Sequence, residues 1–113
     1  MAVTSLGIGC DAFTPLELTN STGEPIMIRY AEGYPGTFNS PGFEPDGFLI
    51  GPILPGEIDR SRQFANVESS HSHMSRRLVS IVALKDDDTI IFRRIYNWDE
   101  LKELDFKVEI TPQ

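Results

Sequence analysis

Hydrophobic and polar positions alternate with a period of two along most of this chain. Apolar and polar side chains take turns over residues 16–20 and again over residues 25–31, and residues 21–24 separate the two runs. This alternation is typical of strands that bury one face, and two such runs around a short glycine-containing turn indicate a β-hairpin. The pattern therefore predicts that the folded part of the chain begins with a hairpin.

Extended patterns continue through the middle of the chain. Residues 48–54 have an extended pattern, and the Pro55-Gly56 dipeptide then predicts a turn. Residues 58–64 alternate again, with Arg and other polar side chains, and predict one polar strand at the edge of a sheet.

The last third of the chain contains the most apolar segment. Residues 78–84 are almost all apolar, which predicts a central strand buried on both faces. The acidic run at residues 85–88 predicts a turn after it, and residues 89–96 predict a strand because they are rich in β-branched and aromatic side chains. Residues 106–110 alternate once more and predict a closing strand.

One short helix is predicted between these last two strands. Asn97 is followed three residues later by Glu100, the spacing of a capping box. Trp98, Leu101 and Leu104 then fall on one face at helical spacing, so we expect all three to be buried. A helix of about two turns is not stable alone and must pack on a sheet.

These elements predict an all-β protein. About seven strands with one short helix before the last strand favour an antiparallel β-sandwich, immunoglobulin-like or prealbumin-like in architecture, and a small barrel is the alternative. The Cys…Trp…Cys spacing of immunoglobulin domains is missing, so the prediction concerns architecture only. We expect residues 14–113 to form one domain.

Composition narrows the classes of partner. The formal net charge is −7, and the ten Lys and Arg residues form no long cluster, so we expect no nucleic-acid binding. No stretch approaches the roughly 18 apolar residues that span a bilayer. The chain also carries no cofactor motif, and we expect a monomer that contacts a membrane only through a lipid anchor.

The only cysteine suggests that anchor. Cys10 follows the small and apolar residues 6–9, a pattern like the bacterial lipobox after which a signal peptidase cuts and the cysteine is lipidated. Residues 1–10 are then a signal-peptide remnant. The alternative is an ordinary first strand with a buried thiol, since free cysteine is among the most buried residue types.

Three segments resemble small bacterial β-sandwich lipoproteins of unknown function: IFRRIYNWDELKELDFKVEI, LTNSTGEPIMIRY and GPILPGE. The resemblance implies a β-sandwich, an extracytoplasmic location and a membrane anchor at Cys10. It implies no activity, because the shared motifs are structural. A soluble cytoplasmic protein is the alternative.

Two groups of side chains are candidate binding sites. His71 and His73 would project to one face of a strand and hold a transition metal, with Glu68 as an oxygen ligand. Their Ser-rich surroundings equally favour a solvated loop. A soluble metal-binding protein is therefore the alternative function.

The second candidate is the long Gly- and Pro-rich loop around residues 32–47. Its aromatic side chains, Tyr34, Phe38, Phe43 and Phe48, would form a ligand-recognition surface, or would tuck back over the open end of the sandwich.

Evidence for catalysis is weak. The chain has no Gly-x-Ser-x-Gly elbow, and the carboxylates Glu32, Glu44 and Asp46 would serve a hydrolase only in a cleft that shifts one pKa. We therefore expect no enzymatic activity. The sequence predicts a non-enzymatic, extracytoplasmic binding or structural module.

Overall fold

The computed structural model describes residues 13–33, 47–65 and 77–113, which form nine strands and one short helix. The prediction of a mostly β protein is confirmed. The elements in chain order are β1 (Phe13–Pro15), β2 (Glu17–Asn20), β3 (Ile26–Gly33), β4 (Gly47–Ile53), β5 (Ile58–Asp59), β6 (Gln63–Ala65), β7 (Leu78–Leu84), β8 (Ile90–Asn97), α1 (Trp98–Glu103) and β9 (Lys107–Ile110).

The largest sheet has four antiparallel strands in the order β4-β3-β7-β8. Strand β7 is interior, and residues 79–84 are at most 5% exposed, so the predicted central strand is confirmed. Tyr30 of β3 lies opposite Ile81 of β7 on one side and Phe48 of β4 on the other. Strands β4 and β8 are the two edges of this sheet.

A second sheet has the order β9-β2-β5, and β1 pairs with β6 in a separate antiparallel ribbon. Strands β2 and β9 run parallel, with Val108 opposite Leu18. The prediction that all strands are antiparallel is wrong for this pair. A parallel pair needs a long crossover connection, and here most of the folded chain lies between the two strands.

The predicted hairpin is also wrong, because β2 and β3 belong to different sheets. Asn20 is 1% exposed, and its side-chain amide donates to the carbonyls of Glu24 (2.6 Å) and Ile53 (2.8 Å). Its side-chain oxygen accepts from the backbone N–H of Thr22 at 2.9 Å. These bonds close the turn locally, so the chain crosses from one sheet to the other.

The single edge strand predicted for residues 58–64 is divided into β5 and β6. Strand β5 pairs with β2, whereas β6 pairs with β1. The Asp59 carboxylate accepts from the backbone N–H (3.1 Å) and hydroxyl (2.7 Å) of Ser61 and bends the chain between the two strands. A period of two does not reveal such a change of partner.

The capping box of α1 is confirmed by both of its hydrogen bonds. The backbone N–H of Glu100 donates to the Asn97 side-chain oxygen at 2.8 Å, and the N–H of Asn97 donates to the Glu100 carboxylate at 2.9 Å. The two orphan donors at the start of a short helix are thereby satisfied.

The end of the helix differs from the prediction. Leu104 is 44% exposed, although its spacing predicted burial with Trp98 and Leu101. The helix ends at Glu103, and after Leu104 both Asp105 and Phe106 take positive φ angles. Phe106, beyond this turn, lies in the core, whereas Leu104 does not.

An aromatic cluster lies under this helix. Trp98 is fully buried, as predicted, and contacts the rings of Phe64 and Phe106 at centroid distances of 5.1 and 5.3 Å. Both contacts are edge-to-face, which is a favoured arrangement for aromatic pairs. In the described part of the chain, no helix has the length and apolarity needed to cross a bilayer.

Candidate functional site

The first four residues of β4, 47–50, form an open border of the four-stranded sheet, here called the β4 edge. The whole strand reads GFLIGPI and carries no charged side chain. Phe48 is 50% exposed and Leu49 is 61% exposed. No other described strand pairs with the outer side of β4. An uncharged, exposed edge is unusual because its unpaired backbone groups invite another strand.

The two exposed side chains lie on opposite faces of the sheet. Phe48 is opposite Tyr30, which points into the core, and the two ring centroids are 5.2 Å apart. Leu49 is opposite Arg29 on the other face. Ile50 faces inward like Phe48 and is 5% exposed. The β4 edge therefore offers one apolar group on each face.

Local geometry fixes both ends of this edge. A side chain at Gly47 would collide with the carbonyl oxygen of Tyr30, so only glycine allows β4 to begin this close to β3. Gly51 has a φ of 120°, and Pro52 follows it through a cis peptide bond. Proline has no N–H to donate to a ladder. The register of β4 against β3 also shifts between Ile28 and Ile26, so regular edge geometry is confined to residues 47–50.

A cluster of polar side chains lies beside the first residue of the β4 edge, because Gly47 pairs with Ala31 and Glu32 comes next in β3. This Glu32 cluster consists of Tyr30, Glu32, Arg62 and Arg77. The Tyr30 hydroxyl donates to Glu32 Oε2 at 2.6 Å, Arg62 Nε donates to the same oxygen at 2.8 Å, and Arg77 donates to Oε1 at 2.7 Å. The charged side chains are only 18–28% exposed, so water screens these bonds weakly.

The ionisation of the cluster follows from these contacts. Burial opposes the charge of Glu32, but hydrogen bonds from Tyr30 and Arg62 and the charges of Arg62 and Arg77 lower its pKa below the ordinary value. Burial, and then the hydrogen bond to Glu32, raise the pKa of Tyr30 well above its usual range. At neutral pH Glu32 is therefore ionised and Tyr30 protonated. Neither group has a pKa suited to general acid–base catalysis near neutrality.

Arg62 connects this cluster to the aromatic cluster. Its guanidinium lies 4.4 Å from the ring centroid of Phe64 and 5.9 Å from that of Tyr30. Phe64 in turn contacts Trp98. Phe48 therefore rests on Tyr30, which is itself held by a chain of contacts reaching the core. This arrangement presents the exposed ring on a rigid base.

The opposite border of the sheet, the β8 edge, is covered in part by the chain itself, although Ile90 and Ile95 are exposed. The backbone N–H of Gln113 donates to the carbonyl of Ile91 at 2.9 Å, and the Arg93 N–H donates to the Gln113 side chain at 3.0 Å. Farther along, the N–H of Asn97 is taken by Glu100 in the capping box. Strand β8 also carries two arginines. Covering and charge are both ways to prevent edge-to-edge pairing.

Of the aromatic residues predicted to form a recognition surface, only Phe48 lies in the described part of the chain. Its ring is half exposed, and its role in recognition stays a prediction. Tyr34, Phe38 and Phe43 lie outside the described residues, as do the loop carboxylates Glu44 and Asp46. Glu32 lies in β3 rather than in a loop, and it is engaged by the arginines.

The remaining predicted site residues also fall outside the described ranges. These are Cys10 and the candidate metal ligands Glu68, His71 and His73. Over residues 13–33, 47–65 and 77–113, no group of three or more His, Cys, Asp or Glu side chains is placed to hold a metal ion. Lipidation and metal binding both stay predictions.

Sequence reasoning missed the Glu32 cluster and the difference between the two edges. Glu32 and Arg62 are 30 positions apart, and nothing in either local pattern points to the other residue. The complete lack of charge over residues 47–53 was visible in the sequence. Its meaning depends on β4 being an edge, which only the strand order reveals.

No family model, curated protein or solved structure matches this chain. Its function has therefore to be argued from the chemistry of the site, since fold class alone does not determine function.

Proposed function

We propose that this protein is a non-enzymatic binding module that pairs an extended segment of a partner with its β4 edge. The observation that carries the proposal is the contrast between the two borders of one sheet. The β4 edge is uncharged and exposes Phe48 and Leu49, whereas the β8 edge is partly covered by Gln113 and carries arginines. Charge and coverage, two features that oppose edge pairing, are therefore found on the described β8 edge and not on the β4 edge.

Strand addition uses the two kinds of group that the β4 edge presents. Backbone N–H and C=O groups supply hydrogen bonds that do not depend on the partner's sequence, while apolar side chains on alternate faces supply contact area and selectivity. Phe48 would contact an apolar side chain of the partner on the inner face of the sheet. Leu49 would do the same on the outer face.

The rigid base beneath Phe48 supports the same proposal. Ordering a flexible side chain on binding costs about 0.5–1.5 kcal/mol. The Phe48 ring packs against Tyr30, and the Tyr30 hydroxyl is fixed by Glu32. The Phe48 ring is therefore already ordered in the folded protein, and binding loses less side-chain entropy.

For the fold, we propose that the sheets pack as a β-sandwich of the immunoglobulin-like or prealbumin-like kind. In support, buried side chains of the four-stranded sheet and of the β9-β2-β5 sheet share one hydrophobic core, with Ile28 and Ile81 from the first and Leu18 and Ile110 from the second.

For the location, we propose an extracytoplasmic protein anchored through lipidated Cys10. The small and apolar residues before Cys10 support this proposal. Incorporation of radiolabelled palmitate into the wild-type product of the full gene, and not into a Cys10→Ser product, is the expected result. Equal labelling of the two products, or none, would overturn the anchor.

Amide chemical shifts test the binding proposal. The probe is a synthetic hexapeptide of alternating Thr and Val, added to ¹⁵N-labelled protein. The expected shifts lie in residues 47–50 and in Tyr30, with none in residues 92–96 of the covered edge. The matched control peptide is N-methylated on every residue, so it has the same side chains but no N–H to donate to a ladder.

Strand addition predicts that N-methylation abolishes the shifts at the β4 edge. It also predicts that Leu49→Lys weakens them, whereas Ile95→Lys on the other edge leaves them unchanged. Shifts of equal size at both edges, or equal shifts from the two peptides, would refute strand addition at β4.

A further inference from the structure

The β4 edge is chemically suited to pair with a copy of itself. Residues 47–53 carry no charge, although the whole chain has a formal net charge of −7. Most surfaces of two copies repel each other at that charge. Along this border, self-association brings no like charges into direct contact, and each copy supplies exposed apolar side chains from Phe48 and Leu49.

We propose that the partner of the β4 edge is a second copy of this chain, joined through an antiparallel pair of β4 strands. This inference rests on the proposed function, because it names the partner of the same edge. It replaces the monomer expected from sequence. Closed two-fold dimers are the commonest form of self-association, and they use one patch twice.

The alternation of side chains selects the register of the pair. The inner face of one sheet continues into the inner face of the other only if residues of the same parity stand opposite each other. Registers centred on Phe48, Leu49 or Ile50 all meet this condition, and we propose the one centred on Leu49, because Leu49 is the most exposed apolar side chain of the β4 edge. Leu49 then faces the partner's Leu49 across the two-fold axis, and Phe48 faces the partner's Ile50. The exposed half of Phe48 is covered, and two leucines meet on the outer face.

The length of the edge limits the strength of the dimer. The register of β4 against β3 shifts between Ile28 and Ile26, and Pro52 has no N–H to donate, so only residues 47–50 are available for regular pairing. Such a contact falls below the roughly 1,200–2,000 Å² buried in standard stable interfaces. The dimer is accordingly weak and forms at high local concentration, a condition that molecules tethered to one surface would meet.

Disulfide trapping tests the register directly. Directly opposed residues in an antiparallel pair have Cα atoms about 4.5–5.5 Å apart, within the range that a disulfide spans. The test protein carries Leu49→Cys, with the native cysteine removed as Cys10→Ser. The matched control carries Ile95→Cys and Cys10→Ser, since Ile95 is exposed on the same face of the sheet but on the other edge.

With copper-phenanthroline as oxidant, the Leu49→Cys protein is expected to form covalent dimer at least tenfold faster than the Ile95→Cys protein. The difference should vanish in guanidinium chloride, where no fold orients the strands. Equal rates for the two folded proteins, or faster trapping through Ile95→Cys, would overturn the proposal.

Sedimentation equilibrium adds a test without cross-links. The average mass of wild type and of Ile95→Lys is expected to rise with concentration from 12.7 kDa towards twice that value. Leu49→Lys places two like charges at the axis and should remain at the monomer mass. If wild type also stays at the monomer mass at millimolar concentration, the homodimer is excluded.

The two sets of experiments fail independently. Peptide-induced shifts at residues 47–50 without any Leu49→Cys trapping would mean that the edge binds strands of other proteins and not a second copy. Loss of both signals would refute the proposed function together with the dimer.

Discussion

The two borders of the four-stranded sheet differ in their charge and in how far the chain covers them. The β8 edge is partly covered by Gln113, carries arginines and continues into a capped helix. The β4 edge is uncharged, exposes Phe48 and Leu49, and has no described neighbour on its outer side. The two borders flank the same interior strands, so fold stability alone does not explain the difference. This contrast is the observation on which the proposed pairing at β4 rests.

The two borders also rest on different anchors. Strand β8 leads directly into Trp98, which is fully buried in an apolar aromatic cluster. Strand β4 rests through Phe48 and Tyr30 on the partly buried, charged Glu32 cluster. The first anchor is stabilised by area removed from water, and the second by charge-assisted hydrogen bonds. Substitutions at each anchor and at each edge separate the contribution of apolar burial from that of the charged hydrogen bonds.

The largest effect is expected at the apolar anchor. Trp98→Ala should lower the free energy of unfolding by about 3–5 kcal/mol, because it removes a fully buried side chain and leaves a cavity. Denaturant unfolding measures the change. The control is Leu104→Ala in the turn after the same helix, where a 44% exposed side chain should cost much less. Similar losses for both variants would contradict the assignment of Trp98 to the core.

A smaller loss is expected at the charged anchor. Glu32→Gln should cost about 1–3 kcal/mol, since it leaves two partly buried arginines without their ionised acceptor. The control is Glu17→Gln, which removes the carboxylate paired with Arg60, a side chain that is 54% exposed. Exposed pairs contribute about 0–1 kcal/mol. A cost for Glu32→Gln no larger than that of the control would show that this cluster does not anchor β4.

The charged anchor also predicts a pH dependence with a definite sign. The pKa of Glu32 is lowered in the folded protein, so on acidification the unfolded state binds the proton first. The stabilisation by Glu32 is complete above its unfolded pKa of about 4.3, and it is lost as pH falls through the lower folded value. The difference in unfolding free energy between wild type and Glu32→Gln should therefore shrink below about pH 4. A difference that widens on acidification would contradict the assigned ionisation.

The smallest effect on folding is expected at the edges themselves. Leu49→Lys and Ile95→Lys should each change the unfolding free energy by less than about 0.5 kcal/mol, because both side chains are exposed. Thermal unfolding at low protein concentration measures this. The two variants should differ only in association, where Leu49→Lys alone has an effect. A large destabilisation by Leu49→Lys would mean that this leucine supports the fold.

Local signals in the sequence were sufficient for several elements. The capping box needs only Asn97 and Glu100, and the buried strand at residues 78–84 needs only a run of apolar side chains. The signals failed where distant residues decide the outcome. The Asn20 side chain donates a hydrogen bond to the carbonyl of Ile53, 33 positions away. The strands on either side of this turn therefore lie in different sheets, although their pattern is that of a hairpin.

The candidate site was only partly predictable for the same reason. Phe48 was identified from its type and its position beside a Gly- and Pro-rich loop. The ring beneath it and the Glu32–Arg62 bond depend on strand order and register, which alternation along the chain does not contain. The proposed roles of Cys10 and of the His71–His73 pair remain predictions.

Amide hydrogen exchange at two protein concentrations tests the central claim, the availability of the β4 edge for pairing, most directly. Because outward-facing groups alternate along a strand, the exchanging amides are either Leu49 or both Phe48 and Ile50. Pairing through β4 predicts that these amides exchange rapidly in dilute wild-type protein and slow down at millimolar concentration, while the Arg93 and Asn97 amides of the β8 edge do not change. Exchange at β4 that is independent of both protein concentration and added strand peptide, or a change confined to β8, would contradict it.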